Sequence, residues 1–287
     1  MSRIEKALEK AIQKRSQETL DGFTPSAAPE ARVPAGSHKA HLDYAAFEQV
    51  PRPLVNNPCL ITATQPSSPI SEQYRKLKSL LIKMTRSEKS RNSVLVTSTV
   101  GGEGKTVTAL NLAITLAQEY DHTVLLVEAD LRRPTIMNYL GLQAGIGLAD
   151  CVLDGLDVGE ALVKTGIGKL SVLPAGRPVK DPVEVFSSVR MAKLLAEVKS
   201  RYSDRFVIID STPLLPFAEG HILAGLVDSV IFVARQDYTP FDKLKEALAS
   251  LKTPNLLGVV CNDIDGGITG TGYYGYYGYY KYAEKGS

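Results

Sequence analysis

The stretch Val94–Thr106, VLVTSTVGGEGKT, constrains the fold of this chain more than any other. Its apolar start predicts a buried strand, and its small residues predict a loop that leads into a helix. Glycines allow backbone N–H groups to curl around an anion, and the N-terminus of the following helix adds its dipole. The stretch therefore predicts a phosphate-binding loop, and the alternative is a glycine-rich turn that binds no ligand.

The end of this loop agrees with the consensus G-x-x-x-x-G-K-[ST], although Thr99 replaces the first glycine. In loops of this kind the lysine reaches the β- and γ-phosphates of a nucleotide, and the hydroxyl of the last residue binds Mg²⁺. We therefore expect a nucleotide and Mg²⁺ to bind here. The residues expected to contact the nucleotide are Gly101, Gly102, Glu103, Gly104, Lys105, Thr106 and Val107.

The composition argues against several other classes of function. The formal net charge of +2 over 287 residues gives no reason to expect nucleic acid as a partner. The three cysteines, Cys59, Cys151 and Cys261, lie far apart, which indicates neither a disulfide framework nor a zinc site and fits a reducing compartment. The charged N-terminus and the absence of an apolar run of about 18 residues predict a soluble, cytoplasmic protein that reaches the membrane only through a partner.

The chain divides by composition into four parts. Residues 1–20 predict an amphipathic helix, whose apolar face would dock on a partner or on the domain, or would fray. Residues 21–69 are rich in Pro, Ala, Ser and Gly, which predicts a flexible linker with a short strand near Cys59–Ala63. Residues 70–265 predict the folded domain, and residues 266–287 a tyrosine-rich tail.

The first helix of the folded domain is predicted over Ser71–Met84, with Ser71 at the N-cap position. Along this helix Glu72, Arg75 and Lys78 recur every three residues and form one stripe. By itself such a stripe indicates a solvated face with local ion pairs, each worth a few tenths of a kcal/mol.

Beyond this helix, apolar strands alternate with helices. This order predicts an α/β fold, a P-loop NTPase with a mainly parallel sheet that helices cover on both faces. The predicted strands are Val94–Thr97, Thr123–Val127, Leu170–Leu173, Phe206–Ile209, Ser229–Ala234 and Leu256–Val260. The predicted helices are Lys105–Glu119, a stretch around Leu148–Leu156, Pro182–Ser200 and Phe241–Leu251.

Acidic residues follow two of the predicted strands. Asp210 comes directly after FVII, where a carboxylate beside a phosphate loop would hold Mg²⁺ through water. Glu128 and Asp130 follow TVLLV with a spacing that points both side chains the same way on an extended backbone. One of them could then deprotonate an attacking hydroxyl while the other approaches the metal. The alternative is a structural network with Arg132 and Arg133.

At these residues the chain resembles the bacterial tyrosine autokinases of polysaccharide export, which are relatives of the MinD/ParA-type ATPases. The motifs that carry the resemblance are SEQYRKLKS, TSTVGGEGKT, LLVEADLRRP, LSVLPAGRPVKDPVEVF, FVIIDSTP and LLGVVCN, followed by the tyrosine-rich tail. The opening MSRIEKALEKA is similar to members of the family that are associated with exosortase-type exopolysaccharide loci.

The resemblance implies a role for each residue that matches the family's motifs. It implies that Lys105 and Thr106 bind phosphate and Mg²⁺, and that Glu128, Asp130 and Asp210 surround the metal and the incoming hydroxyl. On this basis the expected catalytic residues are Lys105, Glu128, Asp130 and Asp210, and the expected metal ligands are Thr106, Glu128 and Asp210.

The resemblance also implies partners. It places Glu72, Arg75 and Lys78 at the interface of a homo-oligomer such as a ring, and Asn262 at the adenine. The other implied partners are a membrane-embedded regulator of polysaccharide chain length, which would bring the protein to the inner membrane, and a cognate tyrosine phosphatase.

Several residues depart from the family pattern. Glu128 stands where the family has Asp, and the extra methylene shifts the carboxylate by roughly an ångström, which affects rate more than binding. Lys78 replaces an arginine and loses bidentate pairing. Val100 stands where partitioning ATPases carry a lysine that completes their partner's site, which argues against a MinD- or ParA-like cycle.

The tail Gly272–Tyr282, GYYGYYGYYKY, is too rich in glycine to bury its rings, which predicts a mobile segment. Mobility would allow the tail to reach another subunit's phosphate site, and the alternative is a sticky low-complexity segment. The expected autophosphorylation sites are Tyr273, Tyr274, Tyr276, Tyr277, Tyr279, Tyr280 and Tyr282.

Together these features predict an ATP- and Mg²⁺-dependent protein-tyrosine kinase that phosphorylates its own tail between subunits and regulates exopolysaccharide polymerisation and export. Two alternatives remain. One is a MinD/ParA-like ATPase switch, and the other is a weakly active structural partner of a membrane chain-length regulator.

Overall fold

The computed structural model of the protein describes residues 56–86, 92–119, 121–143, 145–201, 204–251 and 255–264. The predicted N-terminal helix, the predicted linker up to residue 55 and the tail from residue 265 onward lie outside the described residues. Among the described helices, none combines the length and the apolar character that crossing a membrane requires.

The described strands form a single seven-stranded sheet. The strands are β1 (Ser93–Ser98), β2 (Thr123–Glu128), β3 (Val163–Lys164), β4 (Leu170–Leu173), β5 (Arg205–Asp210), β6 (Ser229–Arg235) and β7 (Leu256–Asn262). Their order is β3-β4-β2-β5-β1-β6-β7, and each neighbouring pair is parallel except β3 and β4. The predicted mainly parallel sheet is therefore confirmed. The strand β3 was not predicted, because two residues are too few to show a pattern.

Helices cover the two faces of this sheet. They are α1 (Ile61–Thr64), α2 (Pro69–Arg86), α3 (Lys105–Ala117), α4 (Ile136–Leu140), α5 (Leu148–Asp154), α6 (Val158–Ala161), α7 (Pro182–Ser187), α8 (Val189–Ser200), α9 (Glu219–Ala224) and α10 (Phe241–Ser250). Alternate residues of the central strands enter different cores. Val94 and Val124 pack with α3 on one face, while Leu95 and Leu125 pack with α7 and α8 on the other. Burial on both faces explains why these strands are continuous apolar runs.

The strand predicted near Cys59–Ala63 is wrong, because the chain forms the short helix α1 there. Leu60 is fully buried, and the Thr62 backbone N–H and hydroxyl both donate to Asn111 Oδ1 on α3, at 3.0 and 2.9 Å. A run this short fits either period by pattern alone. The last part of the predicted linker therefore packs against the domain.

Two helix predictions also need correction. The helix α2 begins at Pro69 instead of Ser71, because proline suits the first turn of a helix. The Ser68 hydroxyl accepts the Ser71 backbone N–H at 3.1 Å, so Ser68 has the capping contact that was predicted for Ser71. The helix predicted over Pro182–Ser200 is two helices, since Ser188 is extended and caps α8 by accepting the Met191 N–H at 3.1 Å. The other predicted boundaries differ by one or two residues, which is the usual uncertainty of helix and strand ends.

Candidate active site

The carboxyl ends of three central strands bring the predicted site residues together. Val96 of β1 and Glu128 of β2 each pair in register with Asp210 of β5. In open α/β sheets, ligands bind in the crevice beyond these strand ends. The loop between β1 and α3 covers the same edge, so the phosphate loop and the strand-end acids share one site.

The loop itself has the backbone conformation that its glycines allow. Gly102 and Gly104 have positive φ angles of 86° and 92°, and Gly104 is the N-cap of α3. The positive φ favours glycine at Gly104, and a Cβ atom there would lie 2.0 Å from Asn262 Nδ2, so a larger residue would also displace that side chain. Gly101 is exposed, and Val107 lies half-buried in the first turn of α3.

Lys105 lies between two carboxylates. Its ammonium group is 2.9 Å from Asp130 Oδ2, and both side chains are largely buried. Burial alone would lower the lysine pKa, but the charges of Asp210 and Asp130 outweigh it, so the pKa is raised. Lys105 therefore stays positively charged at neutral pH and is available to a phosphate.

Asp210 has the contacts best suited to binding a cation. The Thr106 hydroxyl donates to its Oδ2 at 2.8 Å, whereas its Oδ1 is buried and has no hydrogen-bond partner among the described residues. Burial raises the pKa of Asp210 to about 7, even though Lys105 and Thr106 act in the opposite direction. A hydroxyl beside a carboxylate with an unused oxygen is the hard oxygen donor set that Mg²⁺ prefers.

The described residues hold no group of three or more His, Cys, Asp or Glu side chains that would bind a metal ion by themselves. Mg²⁺ usually keeps several waters and takes only one or two protein ligands plus nucleotide phosphates. The hydroxyl of Thr106 and the carboxylate of Asp210 fit a metal of this kind.

Glu128 is beside Asp210, but its carboxylate is already engaged. Oε1 accepts the Ile136 backbone N–H at 2.6 Å, and Oε2 accepts the Ala175 N–H at 3.2 Å. Burial raises its pKa, and the backbone donors only partly offset that effect. A metal bound by Glu128 would have to share these two oxygens with the backbone donors.

Glu128 and Asp130 have separate partners within the chain. Glu128 accepts two backbone N–H groups, whereas Asp130 pairs with Lys105, and the shared role that their spacing predicts stays a prediction. The alternative network with both arginines is wrong. The Arg132 side chain pairs at 2.7 Å with the fully buried Glu219, and Arg133 contributes only its backbone N–H to Asp130, at 3.1 Å.

Sequence reasoning missed Glu219 and a second group of residues. Tyr238 donates its hydroxyl to the Gly101 carbonyl at 3.0 Å, and Thr239 donates its hydroxyl to the buried Glu103 carboxylate. A polar cluster, RQDYT, directly after a buried strand was the signal that could have found Tyr238 and Thr239. Glu219 has a weaker signal, a single acid in the otherwise apolar stretch LLPFAEG.

Asn262 lies next to the phosphate loop, and its contact with adenine stays a prediction. Its Nδ2 donates to the Glu103 carbonyl at 3.0 Å, so it contacts the phosphate loop directly. The tail tyrosines, Tyr273 to Tyr282, lie outside the described residues.

The predicted interface residues lie on α2 and make local contacts within the chain. Glu72 and Arg75 pair at 2.6 Å with both side chains about two-fifths exposed. Lys78 pairs with Glu119, just beyond the end of α3. Within the single chain, Glu72 and Arg75 form the exposed local ion pair that the spacing alone indicated, whereas Lys78 is mostly buried and pairs with a residue 41 positions away.

Known proteins share both this fold and its motifs. The family profile described as the CobQ/CobB/MinD/ParA nucleotide binding domain matches residues 94–274. The tyrosine-protein kinase YwqD of Bacillus subtilis is 35% identical over 206 residues, which are 71% of this chain and 85% of YwqD. The succinoglycan biosynthesis transport protein ExoP of Rhizobium meliloti is 29% identical over 240 residues, which are 80% of this chain and 29% of ExoP.

A solved structure gives the same result in three dimensions. The chimerical protein CapA2B2 superimposes on 77% of this chain and 98% of its own length, with a TM-score of 0.66 and 28% identity. The family profile spans more than half of the chain, and its nucleotide-binding fold agrees with the site described above. The chain therefore belongs to the CobQ/CobB/MinD/ParA family of nucleotide-binding domains and, within it, to the bacterial tyrosine-protein kinases.

Proposed function

We propose that the protein is an ATP- and Mg²⁺-dependent tyrosine kinase whose main substrate is the tyrosine-rich C-terminus of a neighbouring copy. The observation that carries this proposal is the cluster at the strand ends. A positively charged Lys105 lies beside Asp130, and one buried oxygen of Asp210 has no partner among the residues that the structure describes. Such a cluster supplies the positioning and charge neutralisation on which phosphoryl transfer depends.

Each residue of the cluster has a role that its contacts support. Thr106 and Asp210 would hold Mg²⁺, which would neutralise phosphate charge during transfer. Lys105 would leave Asp130 and bind the γ-phosphate, with its positive charge preserved by the nearby carboxylates. That movement would free an Asp130 oxygen to accept the proton of an incoming tyrosine hydroxyl. Glu128 would hold the two loops that line the site, through Ile136 and Ala175.

The proposed substrate is the tail that follows β7. Single glycines separate its tyrosines, so any of several hydroxyls could enter a site that accepts an extended segment. Each phosphorylation would add about −1.5 to −2 charge. A heavily phosphorylated tail would therefore repel its neighbours and loosen an oligomer.

An oligomer would use the exposed stripe on α2. Glu72 and Arg75 expose about two-fifths of their side chains and could exchange their mutual pair for partners on another copy. Lys78 is less available, because it is mostly buried against Glu119. The interface would therefore depend on Arg75 more than on Lys78.

We further propose that the protein regulates exopolysaccharide polymerisation and export together with a membrane-embedded chain-length regulator. The similarity to a protein named for succinoglycan biosynthesis transport supports this context. A cognate phosphatase would reset the tail, and binding to the regulator would place the kinase at the inner membrane.

A nucleotide-dependent switch of the MinD/ParA type is the second candidate, because the fold is shared. Val100 speaks against it, since it stands where partitioning ATPases carry a lysine. Its backbone N–H is engaged with Glu103 Oε2 at 2.7 Å. A weakly active structural partner of the membrane regulator is the third candidate, and the Glu128 substitution is the reason to keep it.

The test combines three forms of the protein with labelled ATP and Mg²⁺. They are the full chain, Lys105→Met, and a chain that ends before Gly272. The full chain should become labelled on tyrosine, whereas neither variant should be labelled alone. When the two variants are mixed, the truncated chain should label the tail of Lys105→Met, because only the truncated chain has an intact site.

The same assay also separates the three candidate functions. ATP hydrolysis without phosphotyrosine in the full chain would contradict the kinase and favour the switch. Label in the truncated chain alone would show that the tail is not the main substrate. Neither hydrolysis nor label, with nucleotide binding intact, would favour the weakly active structural partner.

A further inference from the structure

Glu103 points into the protein instead of toward the phosphates. Its side chain is fully buried, and its two carboxylate oxygens have different partners. Oε2 accepts the Val100 backbone N–H at 2.7 Å, which closes the phosphate loop on itself. Oε1 accepts the hydroxyl of Thr239, which lies outside the loop, in the turn that follows β6.

The Thr239 hydroxyl has a fixed orientation. Its oxygen accepts the Arg235 backbone N–H at 2.9 Å, and the Thr239 N–H returns to the Arg235 carbonyl at 3.0 Å. Since the oxygen is used as an acceptor within the turn, its proton is available for Glu103. The turn therefore orients the Thr239 hydroxyl to donate to the Glu103 carboxylate.

The same turn touches the phosphate loop at a second point. Tyr238 donates its hydroxyl to the Gly101 carbonyl at 3.0 Å. Its ring lies against Gly102, because a Cβ atom added there would be 3.1 Å from the tyrosine oxygen. The Arg235 guanidinium lies over this ring, 5.4 Å from its centroid, and donates to the Gly102 carbonyl at 3.5 Å. Two consecutive side chains, Tyr238 and Thr239, thus bind the phosphate loop at Gly101 and at Glu103.

We propose that Thr239 and Tyr238 are positioning residues of the nucleotide site. The glycines of residues 101–104 allow many backbone conformations, and a ligand that had to order them would lose affinity to that entropy. By hydrogen bonding to Glu103 and Gly101, the turn at residues 235–239 keeps the loop in one conformation before a nucleoside diphosphate binds. The inference deepens the nucleotide binding on which the proposed function rests.

The main test replaces Thr239 by valine, which keeps the shape and removes the hydroxyl, and by serine, which keeps the hydroxyl. The measurement is the affinity of the full chain for N-methylanthraniloyl-ADP with Mg²⁺, at a temperature where every variant is folded. Thr239→Val should bind about tenfold more weakly, because a buried carboxylate oxygen loses its donor. Thr239→Ser should stay within about twofold of the unsubstituted chain, because the donor remains. Lys245→Ala, an exposed change on the following helix, is the matched control and should have no effect.

The outcomes are distinct. Affinity of Thr239→Val within twofold would overturn the proposal, even if its melting temperature fell, since the hydroxyl would then serve stability alone. Equal losses in Thr239→Ser and Thr239→Val would also overturn it. If Thr239→Val does not fold, Tyr238→Phe carries the test. It should bind about threefold more weakly, and unchanged binding would overturn the proposal. Failure of the unsubstituted chain to bind the probe would instead refute nucleotide binding itself.

Discussion

The end of β2 and the end of β5 each carry a buried acidic residue, and the two residues lie opposite each other in register. Glu128 is 2% exposed and Asp210 is 1% exposed, so burial does not distinguish them. Their partners do. Both oxygens of Glu128 accept backbone N–H groups, whereas one oxygen of Asp210 has no partner in the described part of the chain.

The difference favours Asp210 over Glu128 as a metal ligand, because Asp210 keeps an oxygen that no described residue uses. The longer side chain of Glu128 reaches the loops at Ile136 and Ala175 and satisfies their donors. Among the described residues, the Thr106 hydroxyl is the one hydrogen-bond donor to Asp210, and burial raises the pKa of Asp210 to about 7 even though Lys105 and Thr106 act in the opposite direction. Burying a carboxylate with an unused oxygen lowers the free energy of unfolding, and such groups cluster at functional sites.

The largest effect should come from Asp210→Asn. Replacing the carboxylate by an amide removes the charge that would hold Mg²⁺, so tyrosine phosphorylation should fall by about 100-fold or more. The ligand-free protein should remain folded, because Thr106 can still donate to the amide oxygen. Phosphotyrosine formation and thermal unfolding measure the two effects. Asp242→Asn, an exposed change of the same kind, should alter neither, and retention of a tenth of the activity in Asp210→Asn would contradict the assignment.

A smaller effect, on stability instead of activity, is expected for Glu128→Gln. One of the two backbone donors at Ile136 and Ala175 would face an amide NH₂ group and lose its acceptor, which costs about 1–3 kcal/mol. The melting temperature should therefore fall by roughly 3–10 °C. Nucleotide affinity should change by only a few-fold. If stability is unchanged while Mg²⁺-dependent binding is lost, Glu128 is a metal ligand and the contrast with Asp210 fails.

The smallest expected effect is a pH dependence of stability in the absence of nucleotide. Between the usual pKa of 3.8 and about 7, Asp210 holds a proton in the folded protein that the unfolded chain has released. Stability therefore decreases as pH rises through this window and is level above it. The melting temperature of Asp210→Asn, compared with that of the unsubstituted chain, should show a larger advantage at pH 8 than at pH 5.5. A difference that does not vary with pH would show that Asp210 is already ionised at pH 5.5.

Local pattern was enough to predict the sheet and the phosphate loop. The central strands are apolar on both faces, and the glycines before Lys105 have few other structural uses. The same reasoning placed Asp210 correctly, because a strand end is defined by a few neighbouring residues.

Contacts between distant segments were not predictable in the same way. The partners of Glu128 follow it by 8 and 47 residues, and the bond from Thr239 to Glu103 spans 136 residues. No periodicity in the sequence records such distances. The helix at Ile61–Thr64 was missed for the same reason, since its position depends on Asn111.

The bond from Asn262 to the Glu103 carbonyl also has a consequence for how the protein is made. It joins residues 159 positions apart, so the phosphate loop leaves the ribosome long before the last strand that supports it. At ordinary synthesis rates the interval is roughly 8 to 30 seconds. During that time the nascent chain carries a recognisable nucleotide loop without its support from β7. A chain released early would therefore keep the motif and lack the contact from Asn262 to the loop.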